Sequence, residues 1–284
     1  MARGRRRPPP RRRPARRRRA QGSDLGARLV AALPAIAFAI FIVAEGGIVF
    51  TLGLVAVGMV AMAELYRMMH QARPVALAGY LALIALLLAA QYGDQFQVLL
   101  MLVASLAVTF LLALARPRRE NVSWGIAATM LGIVWIGLAL AHAVLLRGLD
   151  HGGALVVDVL IGTFVGDTCA YFGGRAWGQR PLAPRISPNK TVEGLLAGII
   201  GGTLAFWGFE VAYQQFMRGS HALVLGFAVA LAAPLGDLFE SFIKRDLEVK
   251  DTGRVFGAHG GALDRLDAVF FTAVTGYYVA VALL

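Results

Sequence analysis

The chain has 284 residues, 58% of them hydrophobic, with a mean hydropathy of +0.65. That composition excludes a soluble globular chain and reads as an all-α, polytopic integral membrane protein. The net charge of +11 belongs to one end: residues 1–22 hold 11 Arg and no acid, leaving 17 Lys and Arg against 17 Asp and Glu elsewhere.

The N-terminal tail, residues 1–24, is Arg- and Pro-rich and lacks an apolar face, so it is expected to be disordered. It could contact anionic lipid heads or nucleic acid. Ahead of a first span, however, a basic arm more often sets topology, and no specific nucleic-acid partner is expected. The single Cys169 excludes an intramolecular disulfide and a Cys-based zinc site.

A membrane-spanning helix needs roughly 20 apolar residues. Nine segments qualify: about 28–44, 46–65, 75–91, 96–115, 124–146, 153–172, 192–213, 221–243 and 267–284. Only Glu45-Gly46 separates the first two, so a single long helix is the alternative there. Residues 25–150 are expected to form an N-terminal group of about five spans, and residues 151–284 a C-terminal group of about four spans and two polar loops. The connections after segments two, four, six and eight carry 2, 3, 4 and 5 Lys and Arg, and the other four carry 0, 0, 1 and 1. This alternation predicts a cytoplasmic N-terminus, with loops 173–191 and 244–266 on the same cytoplasmic side.

The sixth segment carries Asp158 and Asp167, which face opposite sides of one helix. Asp167, near the cytoplasmic end, is the one expected to face a cavity; Asp158 is expected near the outer surface or in a structural pair. In the next loop, Ser187-Pro188 reads as an N-cap followed by Pro at the first helical position. Lys190 and Thr191 would then lie in a first helical turn, either as an anion site or as a plain capped entry to the span. Gly194, Gly198 and Gly202 recur every four residues, a close-packing face for a neighbouring helix inside the molecule or across a dimer.

The densest polar stretch is Pro234 to Asp267. Asp237, Glu240, Ser241 and Lys244 share one helical face, and Asp264 and Asp267 share another if a helix begins there. Lys244, Arg245, Lys250, Asp251, Arg254 and His259 lie between them, and Gly260-Gly261 permits close backbone approach to a ligand. Carboxylates able to hold a hard cation thus stand beside groups able to hold phosphate, the combination that a metal-bound nucleoside triphosphate requires.

These residues resemble the signature of the phosphatidate cytidylyltransferase family: Ser241, Lys244-Arg245, Lys250-Asp251, His259-Gly260-Gly261, Asp264-Arg265 and Asp267. Asp167-Thr168 with Ala170-Tyr171-Phe172, residues 182–194 and Gly236-Asp237 resemble it too. Where the family usually has Pro-Gly before the His, this chain has Gly257-Ala258. The resemblance covers roughly the C-terminal 120 residues. It implies cytidylyl transfer from CTP to phosphatidate, giving CDP-diacylglycerol and pyrophosphate. It also implies Mg²⁺ held by Asp237, Asp264 and Asp267, and a second cation, a monovalent one such as K⁺. Lys244, Arg245, Lys250 and Arg265 would neutralise phosphate. Ser187, Lys190 and Thr191 would bind it from the other loop, with Ser241, Gly260 and Gly261 lining the substrate site. Asp251 and His259 would orient substrates, and Asp167 would be a cavity acid. A homodimer in the cell inner (plasma) membrane, with its active site facing the cytoplasm, is implied as well. A CTP-dependent lipid kinase and a solute carrier are the rival readings.

Overall fold

The computed structural model describes residues 22–117, 120–249, 252–253 and 261–284, with side chains from Leu33 onward. Most of the predicted disordered tail lies outside the described residues; a helix has already begun at Gly22.

Helices occupy all nine predicted segments: α1 (Gly22–Glu45), α2 (Gly47–Met68), α3 (Ala76–Tyr92), α4 (Gln95–Leu114), α5 (Val122–Gly148), α6 (Gly152–Trp177), α7 (Val192–Gln214), α8 (Gly219–Asp246) and α9 (Leu263–Leu283). The protein is therefore a polytopic helical membrane protein. Among the described residues, seven helices are long and apolar enough to cross a bilayer; α3 and the apolar part of α1, Leu33–Glu45, are shorter. The 17 residues of α3 rise only about 25 Å, just short of a hydrocarbon layer of ~30 Å.

The break between α1 and α2 is real. Gly46 and Gly47 take φ values of 68° and 48°, a left-handed geometry that ends a right-handed helix. The Arg147 side chain covers Gly46 and donates from Nε to the Val43 carbonyl at 3.1 Å. The start of α4 is set locally: Asp94 Oδ1 accepts the Phe96 N–H at 2.7 Å, and Gln97 Oε1 accepts the Asp94 N–H at 2.9 Å.

The core lies where α2, α3, α5 and α9 meet. Met62, Leu65, Leu83, Leu86, Ile133, Ile136 and Phe270 are buried there. On α4, Leu99, Val103, Leu106 and Phe110 form an exposed stripe at helical spacing, a surface suited to lipid tails. The glycine face of α7 packs inside the molecule, against α6. A Cβ at Gly202 would meet the Gly162 carbonyl at 2.7 Å, and one at Gly198 the Gly166 carbonyl at 3.0 Å. Two backbones in contact leave no room for side chains, so the internal alternative holds for this face.

One local expectation is overturned. Ser187-Pro188 does not begin a helix. Ser187–Thr191 is a strand, β2, paired antiparallel with β1 (Pro181–Ala183). The helix begins at Val192, with Thr191 as N-cap, its Oγ1 accepting the Gly194 N–H at 3.1 Å. Pro188 favours extended backbone at the preceding residue, and the tight turn back to β1 gives that extended segment a pairing partner. Glu193 clamps the hairpin base, accepting the Gln179 and Arg180 N–H groups at 3.1 and 3.2 Å and the Arg180 Nε at 2.8 Å.

Candidate active site

The site lies where α8 and α9 cross, under the hairpin. Gly236 makes the crossing close: a Cβ there would strike the Asp267 carbonyl and lie 2.9 Å from the Ala268 Cα. The contact brings Asp237, next along α8, towards Asp267 on α9. Asp267 is 9% exposed, and its Oδ1 accepts the Ala268 N–H at 2.8 Å. Asp167, on α6, lies within electrostatic reach of Asp237 and Asp267. It is exposed on its helix face, as expected of a cavity acid, whereas Asp158 is fully buried. Asp158 lies near Glu210 at the far end of α7, outside this cluster, and neither of its oxygens has a hydrogen-bond partner among the described residues.

Two lysines enter the acidic cluster. Lys190, from β2, meets Asp237 Oδ2 at 2.5 Å, and both side chains are partly exposed. Lys244, one helical turn beyond Glu240 on α8, bridges Glu240 Oε2 at 2.8 Å and Asp264 Oδ1 at 2.9 Å. Asp264 Oδ2 also accepts the Gly261 N–H at 2.7 Å and the Thr252 N–H at 3.1 Å. Gly261, read as a ligand-facing glycine, thus directs its N–H to Asp264. Arg245 Nε donates to the Ile186 carbonyl at 3.1 Å, joining the end of α8 to the hairpin turn. Ser241 Oγ stands 3.4 Å from Asp237 Oδ1. Ser187 is in β2, half-buried, and Arg265 is exposed on the first turn of α9. Lys250, Asp251, His259 and Gly260 lie outside the described residues.

Glu240 is a member of this cluster that the sequence reading left without a role. It is 2% exposed, lies against Asp264 and Asp267, and its Oε1 has no hydrogen-bond partner among the described residues. Its signal was its spacing, three residues after Asp237 and four before Lys244. Glu64 on α2 is a second, considered separately below.

Asp237, Asp264 and Asp267, the acids that the resemblance assigned to a cation, supply oxygen only, the donor type that a hard divalent cation takes. Asp264 is engaged by Lys244 and two backbone N–H groups, and Asp167, Asp237 and Asp267 lie within electrostatic reach of one another. Among the described residues no three acids already converge as a coordination shell. The arrangement places two lysines directly among the carboxylates.

A model of the cytidylyltransferase family matches residues 26–283. The chain belongs to the cytidylyltransferase family. It is thus an enzyme, a nucleotidyltransferase, as the C-terminal motifs implied. The phosphatidate cytidylyltransferase of Bacillus subtilis (strain 168) is 33% identical over 258 residues, covering 88% of this chain and 95% of the relative. Proteins of the same name from Mycobacterium leprae (strain TN) and Aquifex aeolicus (strain VF5) are 38% and 41% identical over 168 and 126 residues. Those two matches cover 58% and 43% of this chain, and 53% and 46% of the relatives. The cytidylyltransferase match also takes in the first five helices, where the motif resemblance alone was silent.

Proposed function

We propose that the enzyme transfers the cytidylyl group of CTP to phosphatidate, giving CDP-diacylglycerol and pyrophosphate for phospholipid synthesis. The observation that carries this reading is the meeting of Lys190, Asp237, Lys244, Asp264 and Asp267 at one end of the bundle, in a chain whose family transfers cytidylyl groups.

A phosphate oxygen of phosphatidate attacks the α-phosphorus of CTP. The new P–O bond forms as the bond to the β-phosphate bridging oxygen breaks, and pyrophosphate leaves with that electron pair. A phosphomonoester is already anionic at neutral pH, so no strong general base is needed. The obstacle is the approach of two anions and the charge building on the leaving group. Lys190 and Lys244 meet that need by exchanging carboxylate partners for phosphate oxygens. Arg245, Lys250 and Arg265 add positive charge around the same space, and Ser187, Thr191 and Ser241 add hydroxyls. Asp251 and His259 orient the substrates, with Gly260 giving close backbone approach; Gly261, whose N–H is taken by Asp264, acts by holding that carboxylate. Mg²⁺, held by Asp237, Asp264 and Asp267, would neutralise triphosphate charge; a monovalent cation such as K⁺ would sit beside it. Asp167 supports the cation site from α6.

The charge alternation along the sequence supports a site facing the cytoplasm from the inner (plasma) membrane. Phosphatidate then enters sideways from the surrounding lipids, and the enzyme works as a homodimer. The test is purified protein in detergent with α-³²P-CTP, phosphatidate and Mg²⁺. Label in a lipid with pyrophosphate released supports the reading. CDP as the sole nucleotide product turns it to a CTP-dependent kinase, and cation-driven solute uptake without nucleotide turnover turns it to a carrier.

A further inference from the structure

Glu64 is the one acid of α2, in an otherwise apolar run, and it is fully buried. It lies 199 residues before Leu263, yet its Oε2 accepts the Leu263 N–H at 3.0 Å. The same oxygen lies 3.4 Å from Thr252 Oγ1. Helix α9 begins after Ala262, which has no side-chain cap of its own. Glu64 therefore does from another helix what an N-cap residue does from the same chain segment: it satisfies an N–H that the helix leaves unpaired.

The fit is tight on both sides. A Cβ at Gly253 would collide with Glu64 Oε1, and one at Gly261 would collide with Oε2. The carboxylate thus fills the space between the two ends of the loop that joins α8 to α9. Asp264 ties the same two ends by backbone, through the Thr252 and Gly261 N–H groups at 3.1 and 2.7 Å. One acid closes the loop from α9, and the other closes it from α2. The remaining oxygen, Oε1, has no hydrogen-bond partner among the described residues.

We propose that Glu64 is a positioning residue for cytidylyl transfer: it holds Thr252, Gly253, Gly261 and the first turn of α9 so that Asp264 and Lys244 meet the substrates in register. The proposal rests on the function argued above. It gives the N-terminal helices, which carry none of the signature residues, a direct part in building the site. Glu64 touches no reacting atom in this account; it acts through Asp264 and through the backbone of Gly261 and Leu263.

The test compares Glu64→Ala, Glu64→Gln and Met62→Ala in the full-length protein. Met62 is equally buried on α2 and contributes packing alone. Labelled-lipid formation is measured per folded molecule, folding is checked by size-exclusion profile and thermal melting in detergent, and trypsin probes the chain near Lys250 and Arg254. The expected result for Glu64→Ala is a fall in kcat of about 10²-fold, the scale of a small misplacement at a reacting centre. KM for CTP should change less, and tryptic cleavage should be faster. Glu64→Gln, which keeps an oxygen to accept the Leu263 N–H, should recover a large part of that rate. Met62→Ala should lower the melting temperature yet keep its rate per folded molecule. Equal loss of rate in Glu64→Ala and Met62→Ala, no recovery in Glu64→Gln, or full activity in Glu64→Ala would each overturn the proposal. A wild-type protein that forms no labelled lipid would instead defeat the function on which it rests.

Discussion

Lys190 and Asp237 meet at 2.5 Å across the gap between a two-stranded hairpin and helix α8. Neither is fully buried, so water and ligand can reach both partners. An exposed ion pair of this kind contributes roughly 0–1 kcal/mol to stability. In the proposed reaction, its value lies in pre-placing the lysine ammonium where a phosphate can take over from the carboxylate.

Lys190→Ala should therefore leave the melting temperature nearly unchanged and cut activity. Removing one charge-stabilising donor lowers kcat by about 10²–10³-fold in comparable sites. Labelled-lipid formation beside a thermal melt measures both quantities. A melting shift as large as the activity loss would assign the pair a structural role.

Lys244 stands differently, since Glu240 and Asp264 hold it from two helices with side chains 3% and 13% exposed. Lys244→Met removes the cation between a buried acid, Glu240, and a half-buried one, Asp264. Breaking a buried pair costs about 3–5 kcal/mol. The variant should lose activity and unfold at lower denaturant, whereas Lys244→Arg should keep the fold.

Gly236→Ala tests the crossing of α8 and α9. The new methyl would meet Asp267 and Ala268 backbone, which cannot swing aside as a side chain can. Overpacking of this kind costs about 1–3 kcal/mol, and parting the helices draws Asp237 away from Asp267. Activity should fall along with the melting temperature. Gly208→Ala is the control, because nothing lies within 4 Å of its added Cβ; its effect should stay within about 0.5 kcal/mol.

Withdrawing divalent metal with EDTA should stop the reaction, and Mg²⁺ should restore it. Asp267→Asn removes one negative charge from the cluster formed with Asp237 and Asp167. The Mg²⁺ concentration for half-maximal rate should rise about tenfold, the effect of roughly 1.4 kcal/mol in binding. An unchanged Mg²⁺ requirement would remove Asp267 from the ligand set.

Much of this architecture was legible because its causes are local. A run of apolar residues becomes a helix in a membrane whatever lies beside it, since its backbone must satisfy its own hydrogen bonds. Hence helices stand at all nine predicted segments. Asp237, Glu240 and Lys244 share a face because helical spacing alone decides it. The hairpin at 181–191 was not legible. Ser187-Pro188 suits a helix start as well as an extended strand, and pairing between β1 and β2 decides between them.

By itself the sequence determined the membrane class, the order of the helices and the family motif. Tertiary structure decided how they meet. Glycine backbones in contact settled that the Gly198 and Gly202 face packs on α6. The same kind of contact at Gly236 brought α8 against α9. Glu64 is the extreme case: its partner Leu263 lies 199 residues away, and no spacing rule reaches that far. A helix records its own periodicity in the sequence, but which buried carboxylate caps which distant helix depends on how the whole bundle closes.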